Sequence, residues 1–140
     1  MAEELRVEAS VRYLGEVQAF LDDHLDDWGC SLKYKLAIEL AVEEVFVNIA
    51  SYAYTPATGD VVVECRREEP PDGAAPMAVI RFTDHGRPYD PLKREAPDVT
   101  LPAEERQIGG LGIFLVRRKM DDVSYEFRDG CNILTLKKAL

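Results

Sequence analysis

Apolar residues in the first fifth of the chain recur at helical spacing. Val11, Leu14, Val17, Leu21, Leu25 and Trp28 follow one another at three- and four-residue steps, which places them on one stripe of a 3.6-residue repeat. Ser10 stands where a helix N-cap hydroxyl accepts from the first free backbone N–H groups, and Gly29 where such a helix stops. Ser31 caps a second predicted helix from about Leu32 to about Tyr54, apolar on most sides and ended by the turn-forming TPATG of residues 55–59. The period then changes. Leu5–Ala9, Asp60–Arg67 and Met77–Thr83 are rich in β-branched and aromatic residues and read as strands, the last two joined through the exposed loop EEPPDGAAP as an antiparallel hairpin. Helical spacing returns from Leu111 to Asp121, followed by strand-like VSYEFRD and NILTLKK around a turn at Gly130.

Between these elements, residues 87–108 contain Pro88, Pro91, Pro97 and Pro102 among many charges. Such a segment is expected to hold no regular structure, and a loop of this length is usually functional or mobile; it reads as a lid. The predicted order is β-α-α-β-β-lid-α-β-β. Helices and strands do not alternate strictly, so the expected fold class is α+β, a two-layer sandwich with helices on one face of a mixed or antiparallel sheet, in one domain over residues 1–140.

Composition narrows the function classes. The 140 residues are 46% hydrophobic with no run long enough to cross a bilayer, so a soluble domain with its own core and no membrane role is expected. The formal net charge of −9 leaves no broad basic surface for a phosphate backbone, which argues against direct nucleic-acid binding. Cys30, Cys65 and Cys131 are odd in number and widely spaced, without a CxxC pair or a signal peptide ahead of them; they are expected to be reduced, structural and cytoplasmic.

Three constellations carry candidate chemistry. On the second helix Ala37, Ala41, Glu44, Asn48 and Tyr52 share a face, which is either solvated or a site where a carboxylate and an amide serve a hydrated divalent cation. At the end of the Met77 strand comes DHGRPYDP, either a plain turn or a carboxylate placed to accept from an exocyclic amine such as that of adenine, with Gly86 permitting close backbone approach. Directly before the third helix comes GGLGIF, either a hinge or a phosphate-binding helix start. It matches neither GxxxxGK nor a complete GxGxxG.

Taken together and in this order, helical E-x-x-x-N, strand-end D-x-G and lid-following G-x-G resemble the N, G1 and G2 boxes of the GHKL ATP-binding superfamily. Domain size, DHGRPYDP and the run GGLGIFLVRRKMDDVSYEFRDGCNILTLKK resemble most closely its anti-sigma-factor serine/threonine kinases, over nearly the whole chain. The resemblance implies a Bergerat ATP-binding fold and a protein serine/threonine kinase using ATP and Mg2+. In its terms Glu44 matches the general base toward the attacking hydroxyl and Asn48 the magnesium-holding amide. Asp84 matches the adenine-reading carboxylate and Gly86 its supporting glycine. Gly110, Leu111 and Gly112 match the phosphate-side turn, and Asn132 falls near a position that meets adenine through water.

The resemblance also implies partners: a STAS-domain anti-anti-sigma protein as substrate, a sigma factor or other regulator as the sequestered protein, and a second copy of the chain in a homodimer. Two positions depart from the family pattern. Tyr52-Ala53-Tyr54 stands where many of these kinases have a histidine before Gly-Tyr, and Gln107-Ile108 stands where an arginine precedes the G2 glycines. The alternative function is therefore a non-catalytic ATP-binding module that sequesters a sigma factor or another regulator. Arg117, Arg118 and Lys119 read as a solvated or partner-facing surface.

Overall fold

The structure, a computed structural model, describes residues 3–93 and 110–140. Its elements run β1 (Glu3–Glu8), a 3-10 turn (Val11–Tyr13), α1 (Leu14–Asp27), α2 (Leu32–Tyr52), β2 (Asp60–Glu68), β3 (Met77–Asp84), a 3-10 turn (Pro91–Lys93), α3 (Gly110–Lys119), β4 (Asp122–Arg128) and β5 (Cys131–Ala139). The five strands form one sheet in the order β1-β2-β3-β5-β4, and every pairing is antiparallel. The expected α+β sandwich is therefore present with a wholly antiparallel sheet: β2–β3 and β4–β5 are hairpins, β1 pairs with β2 across the two-helix connection, and β5 returns to pair with β3.

Local chemistry sets the helix ends. The Ser10 hydroxyl accepts from the Arg12 N–H at 3.4 Å and the Ser31 hydroxyl from the Tyr34 N–H at 3.3 Å. Gly29 takes φ +71°, which costs a residue without Cβ little, and the Cys30 N–H closes onto the Leu25 carbonyl at 3.0 Å. Two expectations are corrected here. Val11 lies in the 3-10 turn rather than on the α1 stripe, and the tighter winding leaves it exposed. The second helix stops at Tyr52, two residues before the expected end near Tyr54, whose hydroxyl donates to the Asp60 carbonyl and accepts from the His85 N–H.

One face of the sheet carries the helices. Val61, Val63 and Cys65 of β2, Ala78, Ile80 and Phe82 of β3, and Leu134 and Leu136 of β5 pack with Val17, Leu21 and Leu25 of α1, Ile38, Val42 and Phe46 of α2, and Val116 and Met120 of α3. Phe46 is fully buried, and its truncation to Ala would cost about 3–5 kcal/mol. The opposite face carries cross-strand ion pairs, Arg81 with Glu64 and Lys137 with Glu68. Burial inside the core raises the Cys65 thiol to about 12, and none of the cysteines is bridged. Among the described residues no helix is long and apolar enough to cross a membrane.

This architecture brings the three candidate constellations to one end of the sheet. Asp84, the last residue of β3, is the register partner of Asn132 on β5, and α2 and α3 pack against each other above them.

Candidate functional site

At that end lies a cleft between α2, α3 and the ends of β3 and β5. Val45, Ile49, Phe82, Ile113 and Leu134 give it an apolar floor, Tyr52, Tyr89 and Tyr125 give it aromatic walls, and Asn48, Asp84, Arg87 and Asn132 are its polar groups. An apolar pocket with a few converging polar groups suits a planar heterocycle with a polar edge. The Tyr52 and Tyr89 rings stand with centroids 6.1 Å apart and planes tilted by 32°.

Asp84 is only 3% exposed. Its Oδ1 accepts from the Gly86 N–H and from the Asn132 amide, both at 2.9 Å, whereas Oδ2 makes no hydrogen bond among the described residues. A buried carboxylate left with an unused oxygen in a cleft is costly unless a donor reaches it.

Asn132 holds that carboxylate in place. Besides Asp84, its amide nitrogen donates to the Arg87 carbonyl at 2.9 Å and the Gly86 carbonyl at 3.4 Å. Its Oδ1 accepts from the Tyr89 N–H at 3.1 Å and from the Tyr125 hydroxyl. Burial raises Tyr125 above the usual phenol range, so the hydroxyl stays a donor. Asn132 lines the cleft, but both ends of its amide are engaged by protein groups, which makes it a positioning residue for Asp84 and the following loop.

That loop is fixed to the end of α2. A Cβ on Gly86 would lie 2.3 Å from the Ala53 carbonyl oxygen and 2.7 Å from its carbon, so glycine is required for the backbones to pass. The Arg87 N–H donates to the Ala53 carbonyl at 3.1 Å. Its guanidinium donates to the carbonyls of Tyr52 at 3.2 Å and Thr55 at 2.9 Å. A cation therefore satisfies the free carbonyls of a helix C-terminus. Arg87 is thus tied to the end of α2, and most of the expected lid, residues 94–108, lies outside the described residues.

Asn48 projects from α2 into the cleft wall, and its Nδ2 is buried without a hydrogen-bond partner among the described residues. Glu44, one turn earlier, is half-buried and is not part of the cleft wall. Gly110, Leu111 and Gly112 form the first turn of α3, and the Ile113 that follows them reaches the cleft. The structure thus gathers Asn48, Asp84 and Asn132 with Gly86 beneath, sets Glu44 beside them, and starts α3 at the glycines. Sequence reasoning missed roles for Arg87, Tyr89 and Tyr125. The first two sit inside the quoted DHGRPYDP, but their partners are far along the chain.

The histidine kinase-like ATPase domain family model matches residues 7–138. The chain is 33% identical over 115 residues to the serine/threonine-protein kinase BtrW of Bordetella bronchiseptica, covering 79% of this chain and 73% of that protein. It is 30% identical over 105 residues to the serine-protein kinase RsbW of Listeria monocytogenes, covering 71% of this chain and 63% of the relative, just under two thirds of its length. Over 138 residues it is 23% identical to RsbW of Bacillus cereus, covering 96% of this chain and 82% of the relative. With the family model spanning nearly every described element, and with helices stacked on an antiparallel sheet whose end holds Asn48 and Asp84, the chain belongs to the histidine kinase-like ATPase domain family, the GHKL fold, in the branch of the RsbW- and BtrW-type serine kinases.

Proposed function

We propose that the protein is an ATP-dependent serine/threonine kinase of the partner-switching type, which transfers the γ-phosphoryl group of ATP to a STAS-type anti-anti-sigma protein and otherwise holds a sigma factor or another regulator. One observation carries the reading: Asn48 presents a buried amide with an unpartnered nitrogen in the wall of the cleft that also holds Asp84. An unpartnered buried amide is costly without a ligand. The names and similarity of the kinase relatives support the reaction class.

In this reading adenine enters between the aromatic walls and its amino group donates to Asp84 Oδ2, while Asn132 and the Gly86 N–H hold Oδ1. Phosphates lie toward the first turn of α3, where the N–H groups of Gly110, Leu111 and Gly112 have no partner within the helix and favour anions. The Asn48 amide suits a phosphate oxygen through its nitrogen. A half-turn about its Cβ–Cγ bond offers its oxygen to magnesium instead, a hard cation that keeps water and phosphate oxygens as most of its ligands. The residues therefore fit the metal, with Asn48 as its protein contact. When bound, magnesium neutralises charge on the phosphates. Glu44 accepts the proton of the substrate hydroxyl as the new O–P bond forms and the bond to the β-phosphate oxygen breaks.

A second reading, a nucleotide-binding module that sequesters a regulator without transfer, is favoured by one specific observation: Glu44 is not in the cleft wall. Two variants separate the readings. Glu44→Gln keeps a good helix former and should retain most ATP affinity while single-turnover phosphorylation of a cognate STAS protein slows at least about a hundredfold, the usual minimum for a general base. Asn48→Ala should weaken magnesium-dependent nucleotide binding itself. Transfer by Glu44→Gln at the wild-type rate removes Glu44 from the mechanism. A wild type that binds ATP and a regulator but phosphorylates no STAS protein establishes the second reading.

A further inference from the structure

The N-terminal half of α2 exposes three leucines in a row. Leu32 is 69% exposed, Leu36 56% and Leu40 36%. Scattered apolar residues on a surface are ordinary, but three at successive four-residue steps make a continuous ridge. The same step continues through Glu44 to Asn48, so the ridge winds along α2 into the candidate active site, with Leu40 about 12 Å from Asn48 along the helix axis at 1.5 Å per residue.

Beside the ridge runs a groove. Leu36 and Leu40 form one wall, and Lys33, Arg118, Lys119 and Lys138 supply its charge; no carboxylate lines it among the described residues. The chain has a net charge of −9, so four of its 17 basic residues in one apolar groove are a local reversal of sign. Lys138 is paired with Asp121 at 3.6 Å and lies 4.9 Å from the Tyr34 ring. Arg118 sits over the Phe114 ring. Lys33 and Lys119 make no ion pair among the described residues.

We infer that this ridge and groove are the docking surface for the protein substrate, which enters as an amphipathic helix with apolar anchors at four-residue steps flanked by carboxylates. The anchors match the leucine spacing. The carboxylates match the basic rim, which sets register and speeds encounter. Continuity of the ridge with Glu44 means that a helix seated there leads its own chain toward the attacking position. The inference rests on the kinase reading for what the docked protein is. A second copy of this acidic chain is the competing occupant.

The test uses the full chain and two synthetic helical peptides with the same leucine stripe, one flanked by glutamates and the other by lysines. Binding is followed by fluorescence anisotropy and by backbone amide shifts, with labelled ATP titrated in parallel. The glutamate peptide should bind at least about tenfold tighter than the lysine peptide and lose affinity as salt rises. Its shifts should centre on Leu32–Leu40, Arg118, Lys119 and Lys138. Leu36→Glu and Lys119→Glu should each weaken it at least about tenfold, with ATP affinity unchanged in both. Equal binding of the two peptides, binding of neither, or binding that survives both substitutions overturns the docking surface. So does a wild-type dimer, seen by sedimentation, that Leu36→Glu dissociates. If the peptide result fails while the wild type binds ATP and phosphorylates a STAS protein, docking falls and the kinase reading stands; if ATP is not bound at all, the kinase reading falls.

Discussion

At Asp84 one carboxylate oxygen has two protein donors and the other has none among the described residues, and this asymmetry gives a substitution test. In Asp84→Asn the new side chain can keep its oxygen toward the Gly86 N–H and the Asn132 amide, which preserves the fold and turns its NH2 toward the cleft. On the proposed reading, a donor then opposes the adenine amine. ATP affinity measured by calorimetry should fall at least about tenfold, or about 1.4 kcal/mol, with the melting temperature little changed. Unchanged affinity would remove Asp84 from nucleotide recognition. The sequence pointed to Asp84 and Asn48 because polar residues at fixed spacing beside apolar runs are visible in one dimension. It gave no sign of Arg87 as the cap of α2 or of Tyr125 as a partner of Asn132, since Arg87 meets acceptors 35 and 32 residues away and Tyr125 is one of two aromatics in its strand. Nor could spacing tell that the Asn132 amide is saturated by protein.

Between α1 and α2 lies a small ionic cluster that makes the helix pair sensitive to pH. Lys35 Nζ sits 2.8 Å from Asp26 and 3.3 Å from Asp22. Burial, and next the neighbouring Asp22, push Glu39 up to about 7. Asp22 is held below its usual range, chiefly by the hydrogen bond from Glu39. A carboxyl with a raised folded value binds more protons in the native than in the unfolded state between about 4.5 and 7, so its contribution to stability falls as pH rises across that window. The depressed Asp22 acts in the other direction and only at lower pH, below its ordinary value of 3.8. The urea midpoint should therefore be higher near pH 5.5 than near pH 8, and Glu39→Gln should flatten that slope; an unchanged slope would place its origin elsewhere. The elements that carry the cluster were legible to within two residues at most ends, because caps and periodicity are local properties. Val11 was misjudged because a 3-10 turn shifts the face, and the antiparallel pairing of β5 with β3 depends on contacts that no local pattern records.

For the molecule as a whole, ligand binding and folding are linked. If the cleft takes ATP with magnesium, ligand at a hundred times its dissociation constant stabilises the native state by about 2.7 kcal/mol, enough to raise the melting temperature by several degrees. Chelation of magnesium should remove most of that rise, and Asn48→Ala should show little of it. A scan unaffected by nucleotide in the wild type would count against the site.

The strand order has a further consequence, for biosynthesis. β5 is made after every other described strand, yet it lies between β3 and β4 and carries the residue that locks Asp84. A ribosome that has completed β1, β2 and β3 has produced a three-stranded half-sheet open at both edges, β1 and β3, and a nascent chain in that state lacks the Asn132 amide that holds Asp84. Long-range closure of this kind is slow compared with local helix formation. If nucleotide is read by Asp84 as proposed, it cannot template the early folding of this chain and can select only molecules in which residues 131–139 have already been translated and inserted.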